Sequence, residues 1–221
     1  MRRFRWKRRR AALALLPAMG LMVTAGIAGA QDSVPALTGS GPEATAAAGP
    51  TAVSLKGHRN VMAHRVVVFR GRVTPGGNRL VVVRVGGRRL RAHTHNDGAY
   101  KVRWRAPSSG VYTARARVSG SAVRSHRVRV NAYRPAEASY YGPGLYGNGV
   151  ACGGTLTPGK LGVANKTLPC GTQVTLRYHG RTVTVPVIDR GPYAGNREYD
   201  LTAATKAKLG FPPVGTVLTT R

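Results

Sequence analysis

The sequence predicts an all-β protein built from two small units in tandem, with one short helix near its carboxyl end. Runs in which apolar and polar residues alternate recur through the middle of the chain and mark strands with one dry and one wet face. Glycine and proline, 29 and 14 of 221 residues, punctuate those runs at short intervals. Aromatic residues make up only 6%, too few for one large core, so two modest cores fit the length better.

Residues 1–30 read as a signal peptide or an N-terminal anchor. Seven basic residues between Arg2 and Arg10 precede an apolar run from Ala11 to Ala30, which ends in the small residues Ala28-Gly29-Ala30. Charge, apolar stretch and small residues in that order mark a secretory signal. The run is also about as long as a bilayer-spanning helix requires, so membrane attachment through residues 11–30 is the alternative. Either way the remainder is expected outside the cytoplasm, secreted or associated with the cell wall. Residues 31–50 carry little apolar bulk and two acidic charges, and read as a disordered linker.

Residues 51–131 read as an antiparallel β-sandwich. Alternating runs at Arg65–Gly71, Arg79–Arg84, Tyr100–Arg105, Val111–Arg117 and Ser125–Val130 are separated by turn-forming clusters such as Pro75-Gly76-Gly77-Asn78, Asn96-Asp97-Gly98 and Ser119-Gly120-Ser121. Through Asp97-Gly98-Ala99-Tyr100-Lys101-Val102 and Ser109-Gly110-Val111-Tyr112 the segment resembles the immunoglobulin-like modules of secreted actinobacterial proteins.

Charge is distributed unevenly. The chain has 35 Lys and Arg against 7 Asp and Glu, a formal net charge of +28. Residues 51–131 alone contain 18 basic residues and one acid, Asp97. Clustered positive charge concentrates polyanions and is screened by salt. The expected partners are anionic wall polymers or phospholipid head groups, with solubility of an edge-rich β-domain as the bland alternative. An export signal places the chain away from nucleic acid, so none is expected. His93 and His95 share a strand face but have no third ligand, and no metal is expected. Seven acids exclude a carboxylate cage, and two cysteines exclude a four-cysteine zinc site or an iron–sulfur cluster. No cofactor is implied.

Residues 132–221 form the second unit. Strands are expected at Glu137–Tyr141, Leu161–Ala164, Thr172–Tyr178, Arg181–Ile188 and Thr216–Thr219, with a long glycine-rich loop through Gly159. Asp200-Leu201-Thr202 is expected to open a helix that ends at Gly210, with Thr202 as its N-cap and Asp200 beside its positive end. Cys152 and Cys170, the only cysteines, lie 18 apart across the loop, and in an exported protein they should be oxidised. Closing such a loop contributes about 3 kcal/mol in the chain-entropy model. A redox pair is the alternative.

Four blocks in order carry a specific resemblance: Ala138-Ser-Tyr-Tyr-Gly142, Ala164-Asn-Lys-Thr-Leu-Pro-Cys-Gly-Thr172, Val187-Ile-Asp-Arg-Gly-Pro-Tyr193 and Tyr199-Asp-Leu-Thr202. Residues 138–221 thereby resemble the rare lipoprotein A (RlpA) family, related to expansins and barwin-like proteins. The resemblance implies a six-stranded double-psi β-barrel following the sandwich. It also implies lytic transglycosylase action on peptidoglycan glycan strands, with Asp189 as the acid.

Elementary chemistry is compatible with that role. Hydrolysis of a glycosidic bond generally takes two carboxylates, whereas a lytic transglycosylase uses the sugar's own C6 hydroxyl as nucleophile, so one carboxylate can serve as acid and then base. A turn residue bonding nearby amides is the structural alternative for Asp189. Tyr140 and Tyr141 are candidates for stacking on sugar rings or filling the barrel wall, one facing each way. Arg190 and Asn165 are candidate sugar contacts, and Asp200 is either a second groove carboxylate or, slightly favoured, the residue that orders the helix start. The family usually carries glutamate and histidine where this chain has Gly154 and Asn165. That departure keeps a non-catalytic, expansin-like wall-binding module as the rival function.

Overall fold

The computed structural model describes residues 48–221. The signal or anchor expected at 1–30 and most of the linker expected at 31–50 lie outside the described residues.

The first half contributes β1 (Ala52–Val53), β2 (Asn60–Met62), β3 (Val66–Thr74), β4 (Leu80–Val85), β5 (Arg88–His93), β6 (Ala99–Arg105) and β7 (Gly110–Val118). The second contributes β8 (Val128–Tyr141), β9 (Val163–Ala164), β10 (Gln173–Tyr178), β11 (Arg181–Asp189), β12 (Tyr199–Thr202), α1 (Ala203–Leu209) and β13 (Val214–Thr219). The fold class is all-β, an immunoglobulin-like sandwich followed by a closed barrel.

One sandwich sheet has the order β1-β3-β6, and the other runs β5-β4-β7-β8 with β2 also paired to β8. Alternation decides what is buried: Val81, Val83 and Val85 of β4 lie beside Ala114, Ala116 and Val118 of the neighbouring β7, and Phe69 and Trp104 of the other sheet complete the core. Trp104 also meets Tyr112 edge to face, with ring centroids 4.9 Å apart, a geometry favoured by the ring quadrupoles. β5 is not singled out by the sequence, because Leu90 and Ala92 are its only apolar inward residues and the rest of Arg88–His93 is basic. His93 closes β5 with its Nδ1 3.1 Å from Asn78 Oδ1, and His95 lies beyond the strand.

In the second half each strand of the sequence β8, β13, β10, β11, β9 and β12 pairs with the next, and β12 returns to β8. Six strands therefore close on themselves, which removes free sheet edges. The interior is filled by Ala138, Val163, Leu176, Val185, Val187, Tyr199, Leu201 and Val217, each at most 1% exposed. β8 is longer than the segment expected to open this unit. It runs unbroken through residue 132, pairing with β7 up to Ala132 and with β2 over Asn131–Tyr133, then with β13 from Arg134 and with β12 from Ala138.

α1 starts where Thr202 Oγ1 accepts from the Thr205 backbone N–H, at 3.2 Å. It ends at Gly210, whose φ of 64° is the left-handed cap geometry that glycine adopts without strain. Thr205 Oγ1 donates to the Gly162 carbonyl at 2.9 Å and accepts from the Gly162 N–H at 3.0 Å, which pins the helix to the entry of β9.

Candidate functional site

Asp189 is the last residue of β11, and its placement depends on an irregularity. β11 runs parallel to β9 with Val187 opposite Val163 but Asp189 opposite Ala164, so two steps on β11 match one step on β9. Strict alternation would send Asp189 to the same barrel-interior face as Val185 and Val187. The bulge re-aims it outward, a common use of bulges beside functional groups. Ile188 packs there with Val150, Leu156 and Tyr141 in a small cluster outside the main barrel core. Gly162 permits that packing, since a Cβ at this position would lie 2.6 Å from the Ile188 side chain.

The long loop after β8 folds back over this wall. Gly147 N–H donates to the Leu156 carbonyl and Leu156 N–H to the Asn148 carbonyl, each at 2.9 Å. Cys152 N–H reaches the Ile188 carbonyl at 3.1 Å, and the Cys152–Cys170 disulfide ties the loop to the segment before β10. Between loop and wall lies a cleft of about 120 Å³ lined by Tyr141, Leu145, Asn148, Val150, Leu156 and Asp189.

The half-buried Asp189 carboxylate uses its two oxygens unequally. Oδ1 accepts from the backbone N–H of Ala151 at 2.9 Å and of Arg190 at 2.8 Å. Among the described residues nothing donates a hydrogen bond to Oδ2. The turn-residue alternative thus describes one oxygen and leaves the other for a ligand.

Asp200 lies on β12 with its carboxylate outward, between the buried Tyr199 and Leu201. Its Oδ1 accepts from Ser139 Oγ on β8 at 2.8 Å. Burial raises its pKa above the ordinary carboxylate value; the Ser139 hydrogen bond and the charge of Arg197 oppose that shift, and the Asp189 charge adds to it. The role slightly favoured from sequence, ordering the helix start, is corrected here: Thr202 caps α1 and the first turn contains no acid, while Asp200 bonds across to β8.

Tyr140 and Tyr141 face opposite ways at the end of β8. Tyr140 packs against the barrel core, with Lys206 Nζ 4.6 Å above its ring. Tyr141 packs on the Val150, Leu156 and Ile188 cluster. Its hydroxyl is buried and makes no hydrogen bond among the described residues. Burial drives the phenol's pKa up, and the charges of Asp189 and Asp200 and a direct interaction with the Asp189 carboxylate, outside ideal hydrogen-bond geometry, push it further in the same direction.

The other two expected sugar contacts have structural partners in the fold. Asn165 is 3% exposed. Its Oδ1 accepts from the N–H of Thr167 at 3.0 Å and of Leu168 at 2.8 Å, and its Nδ2 donates to the Glu198 carbonyl at 3.0 Å. Oδ1 is satisfied, Nδ2 has one of its two hydrogens engaged, and burial keeps the amide away from a sugar. Arg190 donates through Nη1 to the carbonyls of Asn165 and Leu168 and through Nη2 to Cys170 Sγ, so its guanidinium holds the loop that precedes β10. Gly154 is an exposed turn residue with φ of 80° whose carbonyl accepts from Val150 N–H. Leu145 lines the cleft while 45% exposed, next to the 39% exposed Tyr146. Sequence reading missed both, because one glycine-rich loop offers no periodicity to say which residues stand out.

A closed six-stranded barrel with one short capped helix, and a carboxylate at a bulge beneath a disulfide-tied loop, defines the double-psi β-barrel class of domain. Residues 135–219 match the family described as "Lytic transglycolase". They are 40% identical over 80 residues to the probable endolytic peptidoglycan transglycosylase RlpA of Synechocystis, covering 35% of this chain and 25% of that protein. The corresponding protein of Campylobacter jejuni is 41% identical over 81 residues, covering 36% and 30%. The solved structure of the Streptomyces papain inhibitor aligns with 30% identity and a TM-score of 0.32, over 39% of this chain and 90% of that one. Over residues 135–219 the chain is similar to the RlpA-like double-psi β-barrel family. It spans only about a quarter to a third of the length of the first curated relatives it matches.

Proposed function

We propose that the barrel domain cleaves peptidoglycan glycan strands as a lytic transglycosylase outside the cytoplasm, with Asp189 as general acid and then base. What carries the reading is the asymmetric Asp189 carboxylate: Oδ1 is fixed by two main-chain amides while Oδ2 is left unbonded on a cleft wall. A fixed carboxyl group with one available oxygen suits proton transfer in a set direction. Protonated Asp189 gives its proton to the glycosidic oxygen as the C1–O bond breaks. The C6 hydroxyl of the same sugar then closes on C1, and its proton returns to Asp189, so the product is an anhydro-sugar and no water is consumed. Asp200, which feels the charge of Asp189, serves in this reading to stabilise positive charge developing on the ring. The relatives named as endolytic peptidoglycan transglycosylases support the substrate class. The disulfide agrees with an oxidising, extracytoplasmic setting.

A second reading, glycan binding without cleavage, is favoured by Gly154 and Asn165. The first brings no titratable group, and the second is buried and bonded to the main chain.

Incubation of the intact chain with purified peptidoglycan, followed by mass analysis, separates the two. Anhydro-sugar ends are expected, and their rate of release should fall about a hundredfold or more in Asp189→Asn, which keeps the amide-accepting oxygen and hence the fold. Absence of such ends from the wild type, with retained pelleting onto the wall, establishes the binding reading instead.

A further inference from the structure

The strand register of the sandwich arranges arginines into rows. On β4 the inward residues are Val81, Val83 and Val85, so Val82 and Arg84 point outward. Arg84 stands opposite Arg89 of β5 on one side and Arg115 of β7 on the other. In the next row Val82 stands opposite Arg91 and Arg117, and Arg117 bridges to Arg124. Six guanidinium groups thus surround one aliphatic residue, with rows about 7 Å apart and strands about 4.8 Å apart. Val82 is only 8% exposed although it faces outward, because the arginine stems cover it.

Such a face carries a cost. Like charges directly opposite on neighbouring strands destabilise a sheet, and β4, β5 and β7 contain no acid to relieve them. The ion pairs among the described residues lie elsewhere, at Arg72–Asp97 and Arg134–Glu198. A hollow of about 190 Å³ is lined by Val82, Arg84, Arg115, Arg117 and Arg124. Arg117 Nε is buried there with no hydrogen bond among the described residues, a donor that a bound anion would satisfy.

We infer that the outer face of β5, β4 and β7 is a docking surface for a linear polyol-phosphate polymer, whose regularly spaced phosphodiesters lie along the arginine rows. Guanidinium groups take phosphate oxygens in pairs, and a repeating phosphate matches a repeating arginine array. The one exposed aromatic ring on the face is the His93 imidazole at the end of β5, too little for the successive stacking platforms that single-stranded nucleic acid uses. Its one strongly exposed aliphatic residue, Val111 at the far end of β7, is too little to insert into a bilayer. The inference is independent of catalysis by the barrel.

The test is binding of the intact chain to synthetic poly(glycerol phosphate) across a salt series, with phosphatidylglycerol vesicles and monomeric glycerol phosphate in parallel. The polymer should bind, and the monomer should bind far more weakly. Arg84→Gln/Arg115→Gln/Arg117→Gln should weaken polymer binding about tenfold or more at low salt and flatten the log–log salt slope by about 2. An equal charge removed from the opposite sheet, Arg70→Gln/Lys101→Gln/Arg103→Gln, should leave most of the affinity intact. Near-UV circular dichroism confirms that both variants keep the native core. Equal losses in the two triple variants would overturn the assignment of this face, and vesicle binding in place of polymer binding would overturn the assigned ligand.

Discussion

Asp189 and Asp200 flank a single residue: the parallel ladder of β11 sets Asp189 opposite Ala164, and the antiparallel ladder of β12 sets Asp200 opposite the same Ala164. Two carboxylates eleven residues apart in sequence are thereby brought to neighbouring positions on one wall of the barrel. The charge of one raises the pKa of the other. Only a ring closed through β9 does this, because β9 is the shared neighbour of β11 and β12.

That coupling gives a prediction in pH. Burial and then Asp189 raise the folded-state pKa of Asp200 above its ordinary value of 3.8, against the pull of Ser139 and Arg197. For a group with a raised folded pKa, the favourable contribution is complete below the unfolded value and is lost as pH rises through the folded one. Asp200→Asn lacks this titration. Urea unfolding at a series of pH values should show the wild type losing stability relative to the variant as pH climbs from 3 towards 7. In Asp189→Asn the Asp200 carboxyl resonance should titrate at lower pH than in the wild type. A stability difference that does not vary with pH would mean that Asp200 titrates as a solvated side chain.

Tyr141 pairs a structural liability with a functional opportunity. Its hydroxyl is buried outside hydrogen-bond geometry and interacts with the Asp189 carboxylate beside it, so removing it relieves a desolvation cost and breaks no well-formed bond. Tyr141→Phe should leave stability unchanged or raise it by up to about 1 kcal/mol. If the hydroxyl meets the glycan, release of anhydro-sugar should drop about tenfold at the same time. Denaturant titration and product analysis on one preparation check both halves, and a loss of stability with unchanged activity would assign the residue to the wall alone.

Much of the architecture is legible in the chain, and the exceptions have specific causes. Alternating valines announce β3, β4 and β11, and Thr202 and Gly210 mark both ends of α1. The extent of β8 is hidden by Pro135, which reads as a boundary. Residues 134–137 lie between the segments of β8 that pair with β2 and with β12, so the strand there is paired on one side only, where a proline is best tolerated. β12 is hidden because Asp200-Leu201-Thr202 has the composition of a helix start. At the site, Asp189 is visible as a residue type, but the bulge that aims it outward comes from pairing with β9 and has no local signature. Asn165 misleads for the converse reason. An amide side chain looks the same in sequence whether it meets sugar or backbone.

The disulfide should matter to chemistry as well as to stability. Ala151, whose N–H holds Asp189 Oδ1, immediately precedes Cys152, and Cys170 Sγ accepts from the Arg190 guanidinium. Cys152 and Cys170 therefore grip the two segments that fix the carboxylate. Cys152→Ser/Cys170→Ser frees a loop of 18 residues and should cost about 3 kcal/mol in unfolding free energy. With Ala151 released, Oδ1 keeps only the Arg190 amide, so the carboxylate gains freedom to rotate. At a temperature where circular dichroism reports the double variant fully folded, glycan release should still fall several-fold, and dithiothreitol should reproduce that loss in the wild type. Full activity in the folded, disulfide-free protein would show that the Arg190 amide alone orients Asp189, and the loop would then act on stability only.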